Sequence, residues 1–244
     1  MTEPALRIRG LSKSFGKPVI VNLDLEVAAG QLYALLGPNG AGKTTTLKMA
    51  TGLVKPDAGT VHIFGIDAQR RPIEAKAITA WLPDEPMLYD KLTPSEYLAF
   101  VAGLWRMDPR VAAAEAERLL HWLELWDERD TRCEGFSRGM MQKVALAGAL
   151  IHDPQLLILD EPLTGLDAGM ARAVKDALRA QVDRGKTVIV TTHILEVAER
   201  MADRIGIIAG GKLLAGGTLE ELRARAGTEG LTLEDTFIRL TSGQ

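Results

Sequence analysis

The run Gly37-Pro38-Asn39-Gly40-Ala41-Gly42-Lys43-Thr44 carries the spacing G-x-x-x-x-G-K-[ST]. Its glycines permit a tight loop whose backbone N–H groups converge on phosphate oxygens. A helix opening at Lys43, Thr44 and Thr45 adds the partial positive charge of its N-terminus. Lys43 is then placed to neutralise β- and γ-phosphates, and the Thr44 hydroxyl to ligate Mg2+. A second segment, Leu156-Leu157-Ile158-Leu159-Asp160-Glu161, is an apolar run ending in two carboxylates. Asp160 is placed to hold the metal, and Glu161 to orient or deprotonate an attacking water. Phosphoryl transfer needs a nucleotide cradle, a metal and a positioned water, and these two segments supply all three. Alone, each has a plainer reading, a glycine-rich turn or a strand running into a solvated acidic turn.

These residues work only if strands and helices bring them together. Strand-like runs fall at Ala5–Ile8, Val19–Val27, Gln31–Leu36, Gly59–Ile63, Ile78–Leu82, Leu156–Leu159, Thr187–Thr191 and Ile205–Ile208. Several are continuous apolar runs, as in strands covered on both faces. Val19–Val27 alternates instead, with Val21, Leu23, Leu25 and Val27 predicted inward and Asn22, Asp24 and Glu26 outward, the pattern of a half-exposed antiparallel strand. The pattern predicts an α/β fold whose core sheet is mainly parallel, with an antiparallel edge.

From about Pro94 to Leu150 strand signals vanish. Thr93-Pro94-Ser95-Glu96 and Asp108-Pro109 are helix starts, and Gly139–Leu150 reads as a third helix. Thr218-Leu219-Glu220-Glu221 and Thr232-Leu233-Glu234-Asp235 start two more near the end. The expected organisation is one domain over residues 1–244. Its core spans about 1–83 and 155–222, a helical subdomain about 84–154 is inserted, and a tail covers about 223–244.

Composition narrows the function classes. The 244 residues carry 29 Lys+Arg against 32 Asp+Glu, a net charge of −3, so no basic field holds nucleic acid and none is expected as a partner. One cysteine, Cys133, excludes an internal disulfide framework and fits a reducing compartment. No stretch approaches the roughly 18–20 uninterrupted apolar residues of a membrane-spanning helix. Met1-Thr2-Glu3-Pro4 lacks the basic-then-apolar pattern of a signal peptide. The expected location is cytoplasmic.

Further motifs follow in order. Phe136-Ser137-Arg138-Gly139-Met140-Met141-Gln142-Lys143 precedes the Asp160-Glu161 strand end, Thr164-Gly165-Leu166-Asp167 follows it, and His193 comes after Thr187–Thr191. With the phosphate loop, this series resembles the ATP-binding subunits of ABC transporters along nearly the whole chain. The resemblance implies a P-loop ATPase of the ABC fold, with ATP and Mg2+. Ser137 and Gly139 look like the signature that grips the γ-phosphate of ATP held by a second nucleotide-binding domain. Asp167 looks like the D-loop residue communicating between copies, and His193 like the switch histidine on the γ-phosphate. Phe15 matches the aromatic stacked on adenine. The resemblance implies that Gly37, Pro38, Asn39, Gly40, Ala41, Gly42, Lys43, Thr44 and Thr45 hold the nucleotide. For Ser137 the plainer role is an ordinary N-cap, for Phe15 a packing residue, and for His193 a helix-start residue.

The chain departs from the family pattern in two places. Trp81-Leu82-Pro83-Asp84-Glu85-Pro86 puts Asp84 where the family places a metal-reaching Gln, a variant resembling ATPases paired with ABC-2-type exporters. The signature reads Ser-Arg-Gly-Met rather than Ser-Gly-Gly-Gln. The resemblance implies an integral membrane permease partner, docked near Asp84 to Tyr97, with the chain peripheral on the cytoplasmic face. The competing reading is a soluble non-transport ABC ATPase acting as an assembly or regulatory factor; a further alternative is a module that binds ATP without turnover.

Overall fold

The computed structural model describes residues 3–85 and 87–241. Met1 and Thr2 of the leader reading, Pro86 of the Pro83–Pro86 variant, and residues 242–244 of the tail lie outside them.

Two sheets form. The first holds β1 (Leu6–Phe15), β2 (Lys17–Val27), β4 (Ala58–Ile63) and β5 (Ile66–Asp67) in the order β2-β1-β4-β5, all antiparallel. The second holds β3 (Leu32–Leu36), β6 (Thr79–Leu82), β7 (Leu156–Asp160), β8 (Thr187–Thr192), β9 (Arg204–Ala209) and β10 (Lys212–Gly217). Its order is β10-β9-β3-β8-β7-β6, parallel throughout except for β10 at the edge. The antiparallel strands thus make a sheet of their own, and β10 supplies the antiparallel edge of the parallel sheet.

The continuous apolar runs have their physical reason in this layering. Along β3, Leu32, Ala34 and Leu36 face a core built with the helices, while Tyr33 and Leu35 face a second core shared with the antiparallel sheet. Along β7, Leu157 and Leu159 face the first core and Leu156 and Ile158 the second. A strand buried on both faces has no use for polar alternation.

In β2 the alternation holds from Leu23 to Val27 but breaks before it. Val21 is 36% exposed and Ile20 is buried in its place. Asn22 takes a φ of +49°, and the pairing with β1 shifts register here. The bulge turns Val21 outward and corrects its predicted inward placement.

The helices are α1 (Lys43–Ala50), α2 (Pro72–Ala77), α3 (Pro94–Leu104), α4 (Pro109–Trp122), α5 (Arg138–Leu150), α6 (Ala168–Asp183), α7 (Leu195–Met201), α8 (Leu219–Ala226) and α9 (Leu233–Thr241). The start signals act as the sequence requires. Thr93 and Glu96 form a reciprocal capping box on α3, as do Thr218 and Glu221 on α8. Asp108 caps α4, and Thr232 with Asp235 closes the same kind of box on α9. Helices α3, α4 and α5 lie in the chain between β6 and β7, and their inner faces join the first core. Among the described residues, no helix is long and apolar enough to cross a membrane.

Candidate functional site

Strand register builds the site. Leu36 pairs with Thr192, Asp160 with Thr191, and Leu82 with Leu159, so β3, β8, β7 and β6 end level with one another. Gly37, His193, Glu161 and Pro83 therefore leave the sheet along one carboxyl edge, where open parallel sheets gather ligands.

The loop after β3 is shaped by close approaches. A Cβ on Gly37 would sit 2.3 Å from the Ile208 carbonyl oxygen, so β9 leaves room only for glycine. Gly42 has a φ of +104°, and its added Cβ would meet Ile20 Cδ1 at 2.3 Å. The β9–β10 turn closes the loop from behind, with Gly211 N donating to Ala41 O at 3.2 Å and Val21 N to Gly211 O at 2.9 Å. Pro38, Asn39 and Gly40 are exposed, Ala41 and Gly42 buried, and Thr45 half-buried.

Lys43 opens α1 yet is only 7% exposed. Its Nζ donates to Gly37 O at 2.7 Å and Pro38 O at 3.4 Å, which folds the side chain back under the loop. Burial lowers its pKa, and the charges of Glu161 and Asp160 oppose that. The start of α1 has no side-chain cap, so its first N–H groups are left for a ligand.

Asp160, 3% exposed, accepts from Thr191 Oγ1 at 2.5 Å. The next residue, Glu161, is held in the left-handed region at φ +49°. Its N–H reaches Thr191 Oγ1 at 3.0 Å and Thr191 O at 3.2 Å. Its carboxylate Oε2 lies 3.0 Å from His193 Nδ1 and accepts from Thr164 Oγ1 at 3.3 Å. A non-glycine residue in that backbone state is strained, and strain of this kind collects at sites that do chemistry.

Thr44, Asp84 and Asp160 line one cavity of about 850 Å³, which runs out past Tyr97, Trp105 and His152. Asp84 has its carboxyl pKa raised by burial, with the charges of Asp160, Glu161 and Glu85 acting the same way and Arg138 against them. Among the described residues no group of three or more His, Cys, Asp and Glu side chains forms a metal cage. A hydroxyl and a buried carboxylate lining one cavity are oxygen donors of the kind that suits Mg2+ shared with phosphates, which needs only one or two protein ligands.

The remaining residues are placed as follows. Ser137 caps α5, accepting from Met140 N at 3.2 Å, and is exposed. Gly139 is buried, with Met170 Sδ 1.9 Å from where a Cβ would stand. Asp167 caps α6, accepting from Met170 N at 2.9 Å. Phe15 is 60% exposed at the β1–β2 turn, with Lys13 Nζ 5.3 Å from its ring centre, so it is not a core packing residue. Thr191, Gln142 and Gly211 received no role from the sequence. Thr191 is one of three threonines in β8, and nothing in the sequence singles it out.

The profile of the ABC transporter family matches residues 20–164. The chain is 40% identical over 218 residues to Nod factor export ATP-binding protein I of Burkholderia lata, covering 89% of this chain and 72% of that protein. It is 37% identical over 228 residues to daunorubicin resistance ATP-binding protein DrrA3 of Streptomyces coeruleorubidus, covering 93% and 72%. A solved ATP-binding subunit of an ABC transporter superposes with a TM-score of 0.91 at 32% identity, over 97% of this chain and 99% of that one. CbiO1 of Clostridium perfringens shares the fold, with a TM-score of 0.81 at 21% identity over 91% of each chain. The chain belongs to the ABC transporter family, as an ATP-binding, ATP-hydrolysing subunit.

Proposed function

We propose that this chain powers an exporter by closing on a second nucleotide-binding domain around ATP and opening after hydrolysis. The observation that carries the reading is the hydrogen-bonded set Glu161–His193 beside buried Lys43 and Asp160, all on one carboxyl edge of the sheet. Lys43 and the backbone of residues 37–45 would cradle the phosphates, with Phe15 against the base. Thr44 and Asp160 would hold Mg2+, with Asp84 within reach of the same cavity. The metal, when bound, supplies charge neutralisation across the β- and γ-phosphates. Glu161 orients the water and accepts its proton, and His193 steadies Glu161 and meets the γ-phosphate. Ser137 and Gly139 would face the ATP of the second copy, and Asp167 would signal between copies.

Export is favoured because the relatives above are named for Nod factor export and for daunorubicin resistance. An exporter subunit of this kind sits on the cytoplasmic face, held by an integral membrane permease. Its helical part, residues 84–154, would move against a core of residues 1–83 and 155–222, with 223–244 as a tail. Exposed Met87, Tyr89, Leu104 and Trp105 give the permease an apolar surface beside Asp84. Co-purification from detergent-solubilised membranes tests this. A polytopic membrane protein should accompany the chain and change its ATPase rate. Recovery with soluble partners alone would overturn it.

A further inference from the structure

Arg138 stands where the family pattern has glycine, and its surroundings suggest a use for it. Its Nη2 lies 3.5 Å from Asp84 Oδ1. Its guanidinium and stem also rest on Gly165, where a Cβ would stand 3.1 Å from Nη1 and 3.2 Å from Cζ and Cδ. One turn further along α5, buried Gln142 donates to Pro162 O at 3.4 Å. Between them, Gly139 receives Met170. The first turns of α5 thus lie on the loop that runs from Glu161 to Asp167. Three carboxylates, Asp84, Asp160 and Glu161, converge on this end of the sheet. Lys43 faces Asp160 and Glu161, and Arg138 faces Asp84.

We propose that Arg138 is a positioning residue for hydrolysis, bracing the Asp84 turn against Gly165 so that the Glu161 loop and the start of α5 move as one body. Both side chains of the pair are about half-exposed, so the ion pair alone is weak. The brace gains its effect from touching two loops at once. Glycine at 165, with a φ of +75°, is what lets the guanidinium approach the backbone. The kinetic consequence rests on the role given to Glu161 above, whereas the structural one does not.

Amide hydrogen exchange on the nucleotide-free protein tests the brace without turnover. Arg138→Met keeps much of the stem and removes the cation. It should speed exchange at the amides of Asp84, Glu85, Glu161 and residues 163–166 by about 3–10-fold and leave residues 143–150 unchanged. Arg138→Lys should stay within about 3-fold of the parent protein at the same amides. Asp84→Asn should reproduce the acceleration at 161–166, and the double variant should add nothing to it. In steady-state hydrolysis Arg138→Met should lower kcat about 10-fold with KM for ATP held within about 2-fold. Unchanged exchange at 161–166, additive single variants, or acceleration spread along all of α5 would overturn the proposal. A normal exchange pattern change with kcat intact would refute the positioning role while leaving the ATPase assignment standing.

Discussion

Two helices in this chain begin where an anion is expected, and they begin differently. Helix α1 starts at buried Lys43 behind Gly42, with no side chain capping its N–H groups. Helix α5 starts at exposed Arg138 behind Ser137, whose hydroxyl already accepts from Met140 N. An uncapped helix end inside a protein is costly unless something else satisfies it, and this is the kind of start that suits the phosphate proposed for α1. At α5 the Ser137 hydroxyl already satisfies one of those donors, the Met140 N–H. That start lies open to a neighbour, and an anion arriving there must compete with Ser137 for the Met140 N–H. The first start is backed by the β9 backbone and the β9–β10 turn, whereas the second is met by side chains, Arg138 on Gly165 and Met170 against Gly139.

Four experiments break or sharpen this contrast. The largest effect is expected at Glu161. Glu161→Gln should cut kcat by about 10²–10⁴-fold while ATP binding persists, as measured by phosphate release and equilibrium binding. A rate within a few-fold of the parent would remove Glu161 from the chemistry. At the α1 start, Lys43→Met should lower kcat/KM by about 10²–10³-fold. Loss confined to thermal stability, with turnover kept, would mean that Lys43 only braces its loop.

Smaller effects test rigidity. A Cβ on Gly37 meets a backbone carbonyl of β9, whereas on Gly139 it meets the movable sulfur of Met170. Gly37→Ala should therefore cost about 1–3 kcal/mol in urea unfolding and Gly139→Ala about 1 kcal/mol or less. The reverse order would show the α5 start to be the stiffer one. Ser137→Ala should cost about 1 kcal/mol of stability from the lost cap. If hydrolysis stays unchanged alongside that loss, Ser137 is a cap and nothing more.

Much of the architecture could be read from the residues, and the exceptions have physical causes. The phosphate loop was legible because its function lies in contiguous residues, and the buried strands because burial on both faces leaves an uninterrupted apolar run. Strand β10, Lys212-Leu-Leu-Ala-Gly-Gly, was missed since glycine and alanine carry little strand signal, and β5 because it is two residues long. Val21 was placed inward because a bulge leaves no mark on alternation until the chain has already turned. Within the site, Glu161, Asp160 and His193 could be named from sequence, but the Thr191 hydroxyl that joins Asp160 to Glu161 could not. It lies 31 residues from Asp160, and only strand register brings the two together. The Arg138–Asp84 pair spans 54 residues and is equally invisible without the fold.

The proposed ATP site joins the α1 start of one copy to the α5 start of another, and mixing two inactive variants tests this directly. Lys43→Met damages one helix start and Ser137→Arg the other, so each variant alone should be inactive. Random pairing makes half of the dimers mixed, each with one undamaged site, so an equimolar mixture should recover about one quarter of the parent ATPase rate. A mixture no faster than its separate components would contradict the shared site.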